Sequence, residues 1–241
     1  MMIKAVIFDF NGVIINDEPI HQQLIEEILL EENLVFKPGE YQYMSLGRSD
    51  RDCLRDLLTS RGRVVDEKYF TKLLQKKAQS YAEQIEALEK LPLYPGLHDL
   101  ILKISESNFK LAIVSSAIRK EIELVLKRAE LAEYFKIIVA GDDITTSKPE
   151  PDGYLLAVER LNQEYPELNL QLTECLAIED TLAGIQAAKA VNMKVIGVAN
   201  TYPFHMVQRQ ANWTVDYLTE LELERIQEFY SPTAAKSTAS E

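Results

Sequence analysis

Cysteine, histidine, tryptophan and long apolar runs are all scarce in this chain of 241 residues. The two cysteines, Cys53 and Cys175, stand far apart and form no Cys-X-X-Cys pair. That spacing excludes a thiolate-bound structural zinc and fits a reducing compartment. His21, His98 and His205 are scattered and share no spacing that makes a metal site. No apolar run reaches the ~18 residues of a membrane span. Lys4 is followed by no apolar h-region of the signal-peptide kind, so the expected location is the cytoplasm. Positive charge is also short, with 26 Lys and Arg against 38 Asp and Glu for a net charge of -12. A nucleic-acid partner is therefore not expected, because phosphates demand a basic surface. Binding to an anionic membrane is disfavoured for the same reason.

What is present is ordinary for a globular protein: 46% hydrophobic and 27% charged residues, enough to build a core. The length accommodates one large α/β domain, or a core with a smaller companion. The stretch that organises the rest is Lys4-Ala5-Val6-Ile7-Phe8-Asp9-Phe10-Asn11-Gly12-Val13. The apolar run 5–8 reads as a buried parallel strand. It ends in a carboxylate, Asp9, and a glycine turn. A strand that runs straight into an acid sets that acid at the carboxyl edge of a sheet, where open α/β folds bind ligands.

Beyond that stretch, Asn16-Asp17-Glu18-Pro19 has a capping residue, early acids and a first-turn proline, the signature of a helix start. Ile20, Leu24, Ile28 and Leu29 then share one helical face. Lys37-Pro38-Gly39 breaks the chain, a second helix is expected from Ser49-Asp50, and residues 66–91 read as one long helix or two. Leu93-Tyr94-Pro95-Gly96 is a punctuated hinge. After it the rhythm alternates: strands over 110–114, 137–140, 176–178 and 195–198, helices over 119–129, 152–161 and 182–191, an edge strand over 215–218, and a last helix from Glu220. Such alternation predicts a parallel sheet covered on both faces. The expected fold class is thus α/β, a Rossmann-like doubly wound core with an inserted all-helical cap. Residues 1–16 and 92–230 form the core, 17–91 the cap, and 231–241 a small, polar, disordered tail.

Four core strands deliver chemistry to one edge. The first ends at Asp9-Phe10-Asn11-Gly12 and the second at Ser115-Ser116. The third leads through Gly141-Asp142-Asp143 to Ser147-Lys148-Pro149-Glu150-Pro151, and the fourth ends at Glu179-Asp180. Acids together with a lysine and hydroxyl donors suit a divalent cation with a phosphate.

These four motifs in order, with a helical insertion after the first, resemble the haloacid dehalogenase superfamily. The resemblance covers residues 3–220 and is greatest to the branch with a small helical cap, which contains β-phosphoglucomutase-like and phosphoglycolate-phosphatase-like proteins. It implies a Mg²⁺-dependent phosphatase acting on a small phosphorylated metabolite, with a monomer as the expected state. Asp9 would be the nucleophile that becomes an aspartyl phosphate. Ser115 and the amide of Ser116 would hold phosphate oxygens, and Lys148 would neutralise charge between Asp9 and the phosphoryl group. Asp9, the backbone carbonyl of Asn11 and Asp180 would bind Mg²⁺, with Glu179 assisting directly or through water. Arg48, in Leu46-Gly47-Arg48-Ser49, is the candidate for meeting an anionic group of the substrate, and Arg51 the second.

One position departs from the pattern. Where the family carries a second aspartate that gives and takes a proton, this chain has Asn11. An amide hydrogen-bonds but does not exchange a proton near neutral pH. The loss of general acid–base help is typically ~10²–10⁴-fold. Three readings stay open: a good leaving group, another acid such as Asp17 or a cap residue standing in, or an impaired relative that binds phosphorylated ligands. A β-phosphoglucomutase-like phosphotransferase is the nearest variant of the enzymatic reading.

Overall fold

Ala5 to Phe8 are buried without exception and pair on both sides, with Lys110–Ile113 on one edge and Cys175–Ile178 on the other. The computed structural model describes residues 2–230 and builds outward from this central strand. In chain order come β1 (Ala5–Phe8), α1 (Glu18–Glu31), α2 (Glu40–Met44), α3 (Asp50–Thr59), α4 (Glu67–Ala87) and α5 (Leu97–Glu106). Then follow β2 (Lys110–Val114), α6 (Arg119–Arg128), β3 (Ile137–Val139), α7 (Asp152–Glu164), β4 (Cys175–Glu179) and α8 (Leu182–Ala190). The chain closes with β5 (Lys194–Val198), α9 (Phe204–Gln208), β6 (Trp213–Val215) and α10 (Leu223–Tyr230). All strands are parallel, in the order β3-β2-β1-β4-β5-β6. The order reverses between β1 and β4, which puts the ligand-binding crevice of such a sheet at the carboxyl ends of those two strands.

The strand period of two sorts the side chains onto two faces. Val6, Phe8, Ile113 and Ile178 pack with α5 and α6 through Leu100, Ile104, Ile122 and Val125. Ala5, Ile7, Val114 and Ala177 pack on the other face with Tyr154, Leu161 and Ile185 of α7 and α8. Helices α1 to α4 form the cap and have a separate core, in which Ile28, Leu29, Leu54, Leu57, Leu58 and Phe70 are buried. At about 1.5–3 kcal/mol for each fully buried large apolar side chain, that cluster keeps the cap folded around its own centre.

The two linkers between cap and core run side by side. Ile15 bridges Leu93 in antiparallel sense. The Asn16 amide donates to the Pro92 carbonyl at 2.8 Å and the Tyr94 amide to the Ile14 carbonyl at 3.2 Å.

The α/β class, the parallel sheet and the helical insertion agree with the sequence-based expectation. Some boundaries differ. The edge strand expected over 215–218 is Trp213–Val215, paired with Ile196–Val198; Leu218–Glu220 is a 3₁₀ turn, and the last helix begins at Leu223. Asn212 caps that edge, its Oδ1 accepting from the Val195 amide at 2.9 Å, and so fixes the register two residues earlier. Helices α2 and α9 are five residues each, too short to show a period, and were not expected. The tail over 231–241 lies outside the described residues.

Candidate active site

Asp9 follows directly on β1, and its amide donates to the Ile178 carbonyl of β4 at 2.9 Å. Its carboxylate is 5% exposed. Every contact of the side chain uses Oδ1, which accepts from the Phe10 amide at 2.7 Å and meets Lys148 Nζ at 2.9 Å. Lys148 arrives from the loop between β3 and α7. Its Nζ also donates to Glu179 Oε1 at 2.6 Å and to the Val114 carbonyl at 3.2 Å. One buried ammonium is thus shared by two buried acids. Burial works against the Lys148 charge, but Asp9 and Glu179 hold its pKa above the ordinary lysine value.

Glu179 and Asp180, at the end of β4, behave differently. Glu179 has both oxygens engaged, Oε1 by Lys148 and by the Tyr154 hydroxyl at 2.7 Å, Oε2 by Thr181 Oγ1 at 3.1 Å. Asp180 Oδ2 accepts from the Thr201 hydroxyl, while Oδ1 is buried with no partner. Burial, then the neighbouring Asp9 and Glu179 charges, push Asp180 well above the usual carboxylate range. Burial and Glu179 likewise raise Asp9 to about 7, against the opposing pull of Lys148.

A buried cluster of three acids with one cation is short of positive charge. Asp9, Glu179 and Asp180 each bring an oxygen to within 4.8 Å of the others. Glycines make room for it: a Cβ on Gly12 would lie 1.9 Å from Asp180 Oδ2, and one on Gly184 would lie 2.0 Å from the Glu179 carboxylate. An all-oxygen, anionic cradle with an orphaned carboxylate oxygen fits a hard divalent cation such as Mg²⁺. A second group, His21, Asp50 and Glu121, also has metal-ligand spacing. There Lys77 Nζ meets all three members, at 2.5 Å from His21 Nδ1, 2.6 Å from Asp50 Oδ2 and 3.2 Å from Glu121 Oε1, whereas Lys148 pairs with only two acids of the first group and leaves Asp180 to a cation.

Ser115 follows β2. Its Oγ accepts from the Ala117 amide at 3.0 Å and lies 3.5 Å from Asn11 Oδ1. Ser116 turns its hydroxyl to the cap, donating to the Gly47 carbonyl at 3.1 Å. Gly47 has a φ of +75°, and a Cβ there would crowd Thr181 at 3.2–3.3 Å, so glycine sets how closely cap and core approach. Asn11 turns its amide nitrogen to Asp17, at 2.9 and 3.1 Å from the two carboxylate oxygens.

Cap and core enclose a cavity of about 50 Å³ lined by Asp9, Asn11, His21, Arg48, Ser116 and Asp180, among others. At ~10–15 Å³ per water on this measure, it holds a few waters, and a wider groove of about 810 Å³ between cap and core, also reaching Ser116, lies beside it. Arg48 lines the small cavity, yet its guanidinium is turned to the cap, donating to the Met44 carbonyl at 3.0 Å and pairing with Asp56 at 2.6 Å. Arg51 lines the wider groove instead. It pairs with Glu67 at 3.6 Å and lies over Phe70.

Sequence reasoning missed Tyr154 and Thr201, which engage Glu179 and Asp180, and nothing local marks either one. Lys77 was also missed. Its signal was legible, a lysine in register with Phe70, Leu73 and Tyr81 on the buried face of α4. Asp17, one of the early acids of the expected helix start and a candidate stand-in acid, makes no capping bond with its side chain and turns to Asn11 and Tyr81.

Known proteins share the family pattern and the fold of this chain. The family model for haloacid dehalogenase-like hydrolases matches residues 6–198. The β-phosphoglucomutase of Bacillus subtilis is 28% identical over 222 residues, covering 90% of this chain and 93% of that protein. A phosphatase of phosphorylated carbohydrates from Thermotoga maritima is 26% identical over 201 residues, covering 82% and 86%. The crystal structure of a β-phosphoglucomutase from Clostridium difficile superposes with a TM-score of 0.83 at 24% identity, covering 97% of this chain and 100% of that one. Among the described residues no helix is long and apolar enough to cross a membrane.

Proposed function

This chain belongs to the haloacid dehalogenase-like hydrolases, and on that premise we propose that it is a Mg²⁺-dependent phosphatase of a small phosphorylated metabolite, working through an aspartyl phosphate on Asp9. The observation that carries the reading is the shared contact of Lys148 with Asp9 and Glu179 beside an unpartnered Asp180 oxygen, all at the carboxyl ends of β1 and β4. Asp9 Oδ1 is committed to Lys148 and the Phe10 amide, so Oδ2 is the oxygen free to attack phosphorus. The ester P–O bond breaks as the Asp9–phosphorus bond forms, and water then cleaves the acyl phosphate to release inorganic phosphate.

Lys148 offsets charge on the transferring group, and Ser115 with the Ser116 amide orients its oxygens. The cation would be held by Asp9, the Asn11 carbonyl and Asp180. Glu179, with both oxygens engaged by Lys148, Tyr154 and Thr181, would act from behind it. When bound, such a cation offsets the repulsion between an attacking carboxylate and an anionic phosphate. Asn11 supplies no proton, so esters with good leaving groups are the favoured substrates.

The likeness to the B. subtilis β-phosphoglucomutase favours a second reading, transfer of the phosphoryl group to a sugar hydroxyl. It demands proton transfer to and from that hydroxyl, which Asn11 does not perform.

The test is phosphate release from a panel of sugar phosphates, glycolate phosphate and aryl phosphates, with and without Mg²⁺. Turnover that needs Mg²⁺ and disappears in Asp9→Ala supports the phosphatase. Transfer between sugar phosphates without net release supports the second reading. Activity retained in Asp9→Ala sinks both.

A further inference from the structure

Asn11 and Asp17 face each other across the start of the cap linker. Asn11 Nδ2 lies 2.9 Å from one Asp17 oxygen and 3.1 Å from the other. A carboxylate in this role only accepts, so the contact fixes which way the amide points. Nδ2 faces Asp17, and Oδ1 faces Ser115, whose Oγ is 3.5 Å away. Asn11 lines the cavity and Asp17 does not. Asp17 is wholly buried, with 0% exposure, so its charge depends on the donors around it.

Those donors converge from three elements. The Asn11 amide comes from the loop after β1. The Tyr81 hydroxyl comes from α4 and bonds Asp17 Oδ2. The third is His21 of α1, whose Nε2 lies 3.4 Å from Asp17 Oδ2 and 3.2 Å from Asn11 Nδ2. Lys77 Nζ stands against His21 Nδ1 on the far side of the ring.

We propose that Asp17 is a positioning residue acting through Asn11: the pair is a unit, with the carboxylate at 17 and the amide at 11, that holds the side-chain oxygen Asn11 Oδ1 beside Ser115, at the cavity that Asn11 lines, as a fixed hydrogen-bond acceptor. This deepens the phosphatase reading and rests on it. A fixed acceptor orients an O–H of the water that attacks the phosphoenzyme, and takes no proton from it. The unit has a second consequence. An aspartate at position 11 would set two carboxylates about 3 Å apart in a buried pocket, both facing the single His21 Nε2. Restoring an acid at 11 by itself therefore harms this chain. Only the exchange of both residues keeps one carboxylate facing one amide.

The experiment compares four proteins: the parent, Asp17→Asn, Asn11→Asp, and the double exchange Asn11→Asp with Asp17→Asn. Two quantities are read, the melting temperature in EDTA and the kcat and KM for the ester that the parent turns over best. Asp17→Asn is expected to lower kcat by about tenfold or more with KM little changed, the split of a residue that orients a reacting group. Asn11→Asp is expected to melt below the parent and to turn over more slowly. The double exchange is expected to recover most of both losses, the mark of a directly coupled pair. An Asn11→Asp protein as stable as the parent and faster overturns the proposal. So does a double exchange less stable than either single variant, or an Asp17→Asn protein with unchanged kcat. Melting does not depend on turnover. If no ester is hydrolysed by any of the four, the phosphatase reading fails, while the melting cycle still decides whether the two residues form a unit.

Discussion

Gly12 backs so closely onto Asp180 that a Cβ on it would lie 1.9 Å from Asp180 Oδ2 and 2.4 Å from the carboxyl carbon. Its φ of +78° is also one that side-chain-bearing residues rarely adopt. Gly12→Ala must therefore displace Asp180, the acid of this cluster with a buried unpartnered oxygen. The expected result is a folded protein whose kcat falls on the order of 10²-fold, as misplacement by about 1 Å does, with weakened Mg²⁺ binding by titration calorimetry. Wild-type affinity and rate in Gly12→Ala would show that Asp180 is not the ligand.

Lys148 is the cation that two buried acids share. Lys148→Met leaves Asp9 and Glu179 facing each other with no counter-charge. Breaking a buried pair from one side typically costs about 3–5 kcal/mol. Urea unfolding in EDTA should show a loss of that order, and turnover should drop below detection. A variant as stable as the parent would mean that Asp9 and Glu179 are solvated or protonated throughout.

The raised pKa of Asp9 sets a pH dependence. The folded value is about 7 and the ordinary value 3.8, so the folded state binds the extra proton between those limits. Stability from this group is whole below pH 4 and is lost as pH rises through 7. Asp9→Asn lacks that loss. In EDTA it should match the parent near pH 4 and exceed it by roughly 2–4 kcal/mol above pH 7. Saturating Mg²⁺ should stabilise the parent by RT ln(1 + [L]/Kd), about 2.7 kcal/mol at a hundred times Kd, and erase the difference. Parallel pH profiles for the two proteins in EDTA would refute the assignment.

Lys77 of the cap meets Glu121 of the core at 3.2 Å, and both are 2% exposed. Burial raises the Glu121 pKa against the opposing Lys77 charge, and Glu121 Oε2 has no partner. Opening the cap hydrates both charges, so this bridge opposes opening only weakly. Replacing it by Glu121→Leu, which leaves Lys77 paired with Asp50 at 2.6 Å, should favour the closed cap. Protection of cap–core amides in hydrogen exchange is then expected to rise and kcat to fall as product leaves more slowly. Faster exchange in this variant would count against the bridge being a releasable contact.

Much of this was legible beforehand, because buried parallel strands are written as short unbroken apolar runs. Ala5–Phe8, Lys110–Val114 and Cys175–Glu179 announce themselves that way, and the polar residues after them fall on one edge by topology alone. What stayed hidden is what local rules cannot carry. Asp17 looks locally like one of the early acids of a helix start, yet a tertiary donor 64 positions away in the chain, the Tyr81 hydroxyl, claims one of its oxygens. Thr201 and Tyr154 sit in unmarked sequence and matter only because the fold brings them to Asp180 and Glu179. Trp213–Val215 took the edge pairing from the stretch after it, and the Asn212 side chain accepts from the Val195 amide at the head of the pair.

The paired linkers, Ile14–Asn16 against Pro92–Tyr94, constrain more than where the cap begins and ends. Two separate tethers would let the helical block twist, slide or tip. Two tethers bonded to each other act as one ribbon, which flexes across its thin direction and resists shear. The cap is thereby left with a single easy rotation, so that residues near the ribbon barely shift while distant ones sweep a wide arc. Asp17 and His21 lie next to the pivot, and Arg48 and Gly47 far out along the chain from it. A swing about that ribbon changes the Asn11–Asp17 separation least and the approach of Gly47 to Thr181 most.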